Sequence, residues 1–263
     1  MKTPIVAIVN ESELENPSDG QANMSRTESA IGRHRPNPFD DRFAAVHAQL
    51  HRRLGLVVCV VGSDLDIVSP YLVPGDGGMR LLEELRARNV RIRVLTNSLA
   101  STDMPIAHAG YMHYRTRLLE DGIELYEVRP VPGRPDSGGG SLKSPSSGQF
   151  ALHAKVFVLD QRRLFIGSMN FDRRSLRRNT EIGLLIDSPE LARQVTARFN
   201  DIAQPANCYV LALGLPDASG GRTTIWRTEE QGRNVETTTE PMPDALRSSK
   251  ADFRTLLPID NLL

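Results

Sequence analysis

The 263-residue chain predicts an α/β fold in which helices flank a mostly parallel central sheet. Two observations carry that expectation. Between residues 64 and 128, short apolar runs alternate with stretches of helical length, the order that builds βαβ units. The length suffices to bury one sizeable core, and only Cys59 and Cys208 are present. Packing, rather than a disulfide framework or a cysteine-rich metal cluster, must therefore hold the fold.

Taken in order, residues 1–40 carry little fold signal. Residues 11–37 are rich in Ser, Asn, Pro, Glu and Arg without periodicity, and disorder is expected across residues 1–40. The apolar run at residues 5–9 is too short for a signal peptide, and no stretch approaches the roughly 20 apolar residues of a membrane span. The chain is thus expected to be cytoplasmic or peripheral to the cytoplasmic membrane. Phe43, Val46, Leu50 and Leu54 recur at helical spacing behind an Asp40 cap, predicting a helix over residues 39–56. His47 and His51 lie four apart there, but with no carboxylate or cysteine nearby they read as two surface histidines.

Residues 64–70, DLDIVSP, predict a buried strand. Leu81, Leu82 and Leu85 mark a helix over residues 77–88, and residues 91–96 form the next strand. A helix over residues 104–120 and a strand over residues 123–128 follow, joined by the turn Asp121-Gly122. Residues 130–149 hold five Gly, four Pro and five Ser, which predicts a flexible insertion. Beyond residue 186, Ser188-Pro189-Glu190 starts a helix with Leu191, Val195 and Phe199 as its apolar stripe. Residues 209–213 and 222–226 predict a hairpin across a turn at residues 217–221, and the chain from Pro241 onward an amphipathic tail packed on the domain. The expected divisions are residues 1–40, 41–204 and 205–263.

Charges balance at 32 basic and 32 acidic residues, so no global field argues for nucleic acid, and 5% aromatics disfavour a base-stacking surface. The local balance differs. Residues 153–178 carry seven basic against two acidic side chains, net +5, and suit an anionic ligand. Residues 152–159 alternate with period two, which places His153 and Lys155 on one face of a strand. A turn at Asp160 and Gln161 leads into a second strand, residues 163–166, which ends at Gly167-Ser168 with Asn170, Asp172, Arg174 and Ser175 following. A third strand, residues 180–186, has Glu181 near its start. An imidazole, an ammonium, a hydroxyl, an amide and a carboxylate thereby converge at one sheet edge: a phosphate site with a nucleophile in it.

His153-x-Lys155-x4-Asp160, then Gly167-Ser168-x-Asn170 and Asp172-x-Arg174-Ser175, resembles the HKD motif of the phospholipase D superfamily. IVSPYLVPG at residues 67–75, VRIRVLTNSLASTD at 90–103, HAGYMHYRTRLLEDGIELYE at 108–127, NTEIGLLIDSPELA and the terminal LLPIDNLL resemble the C-terminal half of bacterial cardiolipin synthases of the C type. The resemblance runs from about Leu56 to the end. It implies the phospholipase D-like α/β fold as a half-domain with one HKD motif, an anionic phospholipid substrate, peripheral membrane contact and no metal or other cofactor.

The residues support that chemistry directly. A neutral imidazole is a competent nucleophile toward a phosphodiester, so His153 is expected to form a phospho-histidine. Lys155 and Asn170 would hold the non-bridging oxygens, with Ser168 as a further donor. Glu181 would orient the His153 ring through its other nitrogen, while Arg174 and Ser175 would help bind substrate. Asp160 is counted in the motif, but its place in a turn suggests a structural role, bonded to the Arg174 or Ser175 segment. In-line displacement needs a second histidine opposite the first, and the sequence holds one H-x-K; His108 and His113 read as surface or loop residues. A homodimer mate or a separate HKD-bearing partner is expected to supply the other. Phosphatidyl transfer leads, with a homodimeric nuclease and a split half inactive alone as alternatives.

Overall fold

The computed structural model describes residues 5–10, 61–130, 151–172, 175 and 181–243 of the protein. Twelve strands lie among them. Ile5–Asn10 is β1, Asp64–Val68 β2, Leu72–Val73 β3, Arg91–Asn97 β4 and Glu124–Val128 β5. Val156–Leu159 is β6, Arg163–Gly167 β7, Phe171–Asp172 β8 and Glu181–Asp187 β9; Cys208–Pro216, Arg222–Glu230 and Arg233–Thr237 are β10 to β12. Three helices, Gly75–Ala87 (α1), Pro105–Glu120 (α2) and Pro189–Ile202 (α3), complete the described elements.

Ten strands form one sheet in the order β1-β9-β7-β6-β2-β4-β5-β10-β11-β12, and β3 pairs with β8 beside it. Only β2, β4 and β5 run parallel to one another within the large sheet. Every other ladder in it is antiparallel. The α/β expectation therefore holds, but the sheet is mixed rather than mostly parallel. The reason is connection length: parallel strands need a crossover, which α1 and α2 provide, whereas the short turns after Leu159 and Pro216 can only join antiparallel neighbours.

Alternation assigns the two faces. Ile92 and Val94 of β4 and Phe157 and Leu159 of β6 join Leu82, Leu85 and Leu118 in the larger core under α1 and α2. Leu95 meets Phe199, and Val158 and Leu164 meet Ala192, on the α3 side. Ser188 caps α3 by accepting from the Leu191 N–H at 3.3 Å, as the Ser-Pro-Glu start requires. The Leu159–Arg162 turn has φ of 53° at Asp160 and 50° at Gln161, the doubly left-handed geometry that suits strand twist in a tight hairpin.

Three expectations change. Residues 5–10, within the segment expected to lack structure, form β1 and pair with β9; the run IVAIVN has the β-branched composition of an edge strand. The regular strand expected from residue 152 begins at Val156, so His153 and Lys155 lie on its lead-in. The C-terminal hairpin gains a third strand, β12, across a turn with φ of 52° at Gln231 and 75° at Gly232. The helix expected over residues 39–56, with His47 and His51, the insertion at 131–149 and the tail beyond residue 243 lie outside the described residues.

Candidate active site

Topology gathers the motif before any side chain is considered. At one end of the sheet β2, β4 and β5 finish, β6 begins, β7 finishes and β9 begins. Ser69 and Tyr71, Asn97, His153 and Lys155, Ser168 and Asn170, and Glu181 all fall there, in the crevice beyond the carboxyl ends of the parallel strands. β8 beside β3 carries Asp172, and the Phe171 N–H donates to the buried Ser69 Oγ at 3.0 Å.

His153 is exposed, and the Tyr71 ring stands edge-on to it with centroids 6.5 Å apart. Its backbone is held from behind. Asn97, at the end of β4 and 1% exposed, accepts from the Leu152 N–H at 2.8 Å and donates to the Leu152 carbonyl at 3.0 Å. A side-chain amide here stands in for a strand neighbour just where the β2–β6 ladder has ended, one residue before the nucleophile. The loop after Asn97 is fastened in turn, because Ser98 and Ser101 both donate to the Val128 carbonyl. Nothing in the motif text marks Asn97; its signal is a buried amide at a strand end.

Lys155 is buried, and its Nζ donates to the His153 carbonyl at 2.9 Å. Burial lowers its pKa from the usual lysine value, against the opposing charges of Glu181, Asp103 and Asp172. The three carboxylates favour the charged ammonium that burial disfavours. Glu181 is also buried, and its Oε2 accepts from Ser168 Oγ at 2.5 Å. Ser168 Oγ accepts from the Ile182 N–H at 3.0 Å. Ser168 was expected as a donor to phosphate; its proton is instead committed to Glu181. Asn170 donates weakly to Ser175 Oγ at 3.5 Å, while its buried Oδ1 has no partner among the described residues. Buried polar atoms are rarely left so, and an amide with one open edge is suited to a ligand. Ser175, with no exposed surface, accepts from the Asn170 N–H at 3.3 Å and donates its own N–H to Asp172 at 2.6 Å. That places it behind Asn170. Arg174 lies outside the described residues.

Gly167 and Gly183 face each other in register. A Cβ on Gly183 would lie 2.2 Å from the Phe165 ring, and one on Gly167 would lie 2.4 Å from the Ile182 carbonyl. Glycine is therefore needed where β7 hands over to Ser168.

Asp160 lies at the other end of β6, remote from His153. Its carboxylate accepts from the N–H groups of Gly62, Ser63 and Asp64 at 3.0, 2.8 and 3.2 Å and from Ser63 Oγ at 3.1 Å. Partial burial opposes its charge, but these donors prevail and hold the carboxyl below the usual range. The bond expected to the Arg174 or Ser175 segment is thus replaced by one to the start of β2, because Asp160 follows β6 at the end where β2 begins. Of the two histidines read as surface or loop residues, His113 is exposed on α2, whereas His108 on the same helix is buried with Nε2 2.7 Å from Glu240 Oε1.

Among the described residues no helix is long and apolar enough to cross a membrane. A family model described as "Cardiolipin synthase, PLD-like domain" matches residues 61–203. Cardiolipin synthase C of Escherichia coli (strain K12) is 40% identical over 217 residues, which is 82% of this chain and 44% of that protein. An uncharacterized protein of Helicobacter pylori (strain ATCC 700392 / 26695) is 30% identical over 66% of this chain and 32% of its own length. The chain thus spans less than half the length of either relative. A solved structure of phosphatidylserine synthase from Haemophilus influenzae Rd KW20 superposes with a TM-score of 0.49 and 16% identity, covering 80% of this chain and 40% of that one.

Proposed function

Because the chain belongs to the PLD-like domain family of the cardiolipin synthases, we propose that it carries half of a phosphatidyl-transfer site working through a phospho-histidine. The observation that carries this reading is the pairing of an exposed His153 with a buried Lys155 whose Nζ bonds to the His153 carbonyl. One backbone unit thereby sets nucleophile and anion-binding cation at a fixed separation.

In the first step a ring nitrogen of His153 attacks phosphorus; the P–N bond forms as the P–O bond to the leaving alcohol breaks. The leaving oxygen takes a proton from an imidazole on the opposite side of phosphorus. In the second step an alcohol oxygen attacks phosphorus, its proton returns to that imidazole, and the P–N bond breaks. Lys155 and the Asn170 side-chain N–H that Ser175 does not hold donate to the non-bridging oxygens as their charge grows. Glu181, held by Ser168, orients the His153 ring. The opposing imidazole comes from a second HKD motif, on a two-fold mate of this chain or on a partner chain.

The test is to incubate the full chain with phosphatidylglycerol vesicles, quench, and look by mass spectrometry for a phosphatidyl adduct on the His153 peptide while recording the oligomeric state. An adduct on His153, lost in His153→Ala together with turnover, is expected. Turnover that persists in His153→Ala sinks the mechanism, and turnover of DNA with none of phospholipid replaces the substrate.

A further inference from the structure

Tyr71 and Asp103 carry chemistry that phosphate binding does not use. Tyr71 precedes β3 and is fixed through its backbone, since the buried Ser69 Oγ donates to the Tyr71 carbonyl at 2.6 Å. Its phenol O–H donates to Asp103 Oδ1 at 2.9 Å, and its ring stands edge-on to His153. Asp103 itself is exposed, on the loop between β4 and α2. Among the described residues Tyr71 is its hydrogen-bond partner. Its other oxygen makes no hydrogen bond among the described residues, and its charge reaches Lys155.

A carboxylate at the mouth of a phosphate site repels the phosphate. It is instead suited to accept a hydrogen bond from something neutral or cationic that arrives beside the phosphate. Tyr71 occupies Oδ1, so an incoming hydroxyl would donate to Oδ2. We propose that Tyr71 and Asp103 form a hydroxyl-binding subsite that holds the polyol end of an alcohol acceptor next to His153, favouring transfer to that alcohol over transfer to water. This inference rests on the transferase reading of the site. It involves binding alone; the proton of the attacking hydroxyl leaves by the opposing imidazole, as above. Burial, the Asp103 hydrogen bond and the Asp103 charge all raise the Tyr71 phenol above its usual pKa, so it stays a donor to Asp103 throughout the neutral range.

The experiment measures, with the full chain and phosphatidylglycerol vesicles, the partition between phosphatidic acid and transfer to isotopically labelled glycerol as glycerol is varied. Asp103→Asn is expected to raise the glycerol KM roughly tenfold and to lower the ratio of glycerol transfer to hydrolysis by a similar factor, the effect of losing one charge-assisted hydrogen bond. Tyr71→Phe should shift the partition in the same direction, more weakly. A second readout needs no turnover: glycerol should move the His153 ring resonances of the wild-type chain and not those of Asp103→Asn. Equal loss of hydrolysis and transfer, or an unchanged glycerol KM with an unmoved ring signal, overturns the subsite. Ethanolamine displacing glycerol as preferred acceptor overturns the hydroxyl assignment. A wild-type chain whose His153 signal responds to glycerol but which turns over no phospholipid keeps the subsite and removes the transferase reading.

Discussion

At the site end of the sheet, single residues divide into those that meet substrate and those that hold them still, and Asn97 belongs to the second group. Among the described residues its amide alone ties the Leu152 backbone beyond the β2–β6 ladder, so Asn97→Asp replaces one donor with a second acceptor facing the Leu152 carbonyl. That change should lower kcat about 100-fold, the typical result of misplacing a reacting atom by an ångström, with KM little altered; steady-state kinetics on folded protein checks it, and an unchanged kcat sinks the clamp. Lys155 sets the pH response. With its pKa lowered by burial, the ammonium should be lost, and activity should fall, at a pH below the usual lysine titration. The Glu181 charge raises the Lys155 pKa, so Glu181→Gln should move that basic limb lower still; a limb that stays put, or rises, contradicts the electrostatics. Much of this site was legible because its chemistry sits at fixed spacings: His153, Lys155, Ser168, Asn170 and Glu181 are close in sequence as in space. Asn97 and Tyr71 were not, since their roles arise from contacts 55 and 82 positions away that only the sheet order creates.

Among the elements, the hairpin of β6 and β7 joins two unlike tasks. Its open end carries the nucleophile, and its turn carries Asp160, whose carboxylate ties the turn to the start of β2. Asp160→Ala removes an acceptor from several backbone N–H groups and places a β-carbon residue without a polar side chain at positive φ, and should cost about 2–3 kcal/mol of stability. Chemical denaturation should register that loss, whereas the rate per folded molecule should hold; a selective loss of rate would move Asp160 into the chemistry. Because its folded pKa is depressed, the stabilisation is present above the ordinary aspartate value and fades as pH falls through the folded one. Gly183→Ala drives a methyl into the Phe165 ring and should cost about 1–3 kcal/mol. Periodicity made the strands and helices from residue 64 to 128 and α3 legible to within a few residues. It misled at residue 152, because alternation of apolar and polar side chains persists through a lead-in that an amide, rather than a neighbouring strand, holds in place.

Across the whole molecule, the chain after β12 is secured by a buried ionic cluster. Arg115 of α2 pairs with both oxygens of Glu240 at 2.8 and 3.0 Å and reaches Glu127 at 3.4 Å, while Trp226 donates to Glu127 at 2.9 Å. Burial opposes the Glu240 charge, yet His108 and Arg115 outweigh it and bring the carboxyl down to about 2. Folded value below unfolded value means stability present above the ordinary glutamate pKa and lost on acidification toward pH 2. Glu240→Gln should flatten that acid transition and lower stability by about 3 kcal/mol at neutral pH, since it leaves a buried guanidinium short of its partner; a pH-resolved unfolding series decides it. The fold class was readable from composition and order, but this cluster was not: Arg115 and Glu240 lie 125 positions apart, and α2 has no apolar stripe to announce which of its residues turn inward.

The placement of Asp160 and His153 at opposite ends of one four-residue strand separates two things a motif search scores together. The aspartate reports that the hairpin is anchored to β2; the histidine reports that chemistry is possible. A chain that keeps the first and has lost the second would still fold and still be recognised as kin, as a scaffold without catalysis. Among relatives, variation at the turn should therefore track growth temperature, and variation at the lead-in should track substrate.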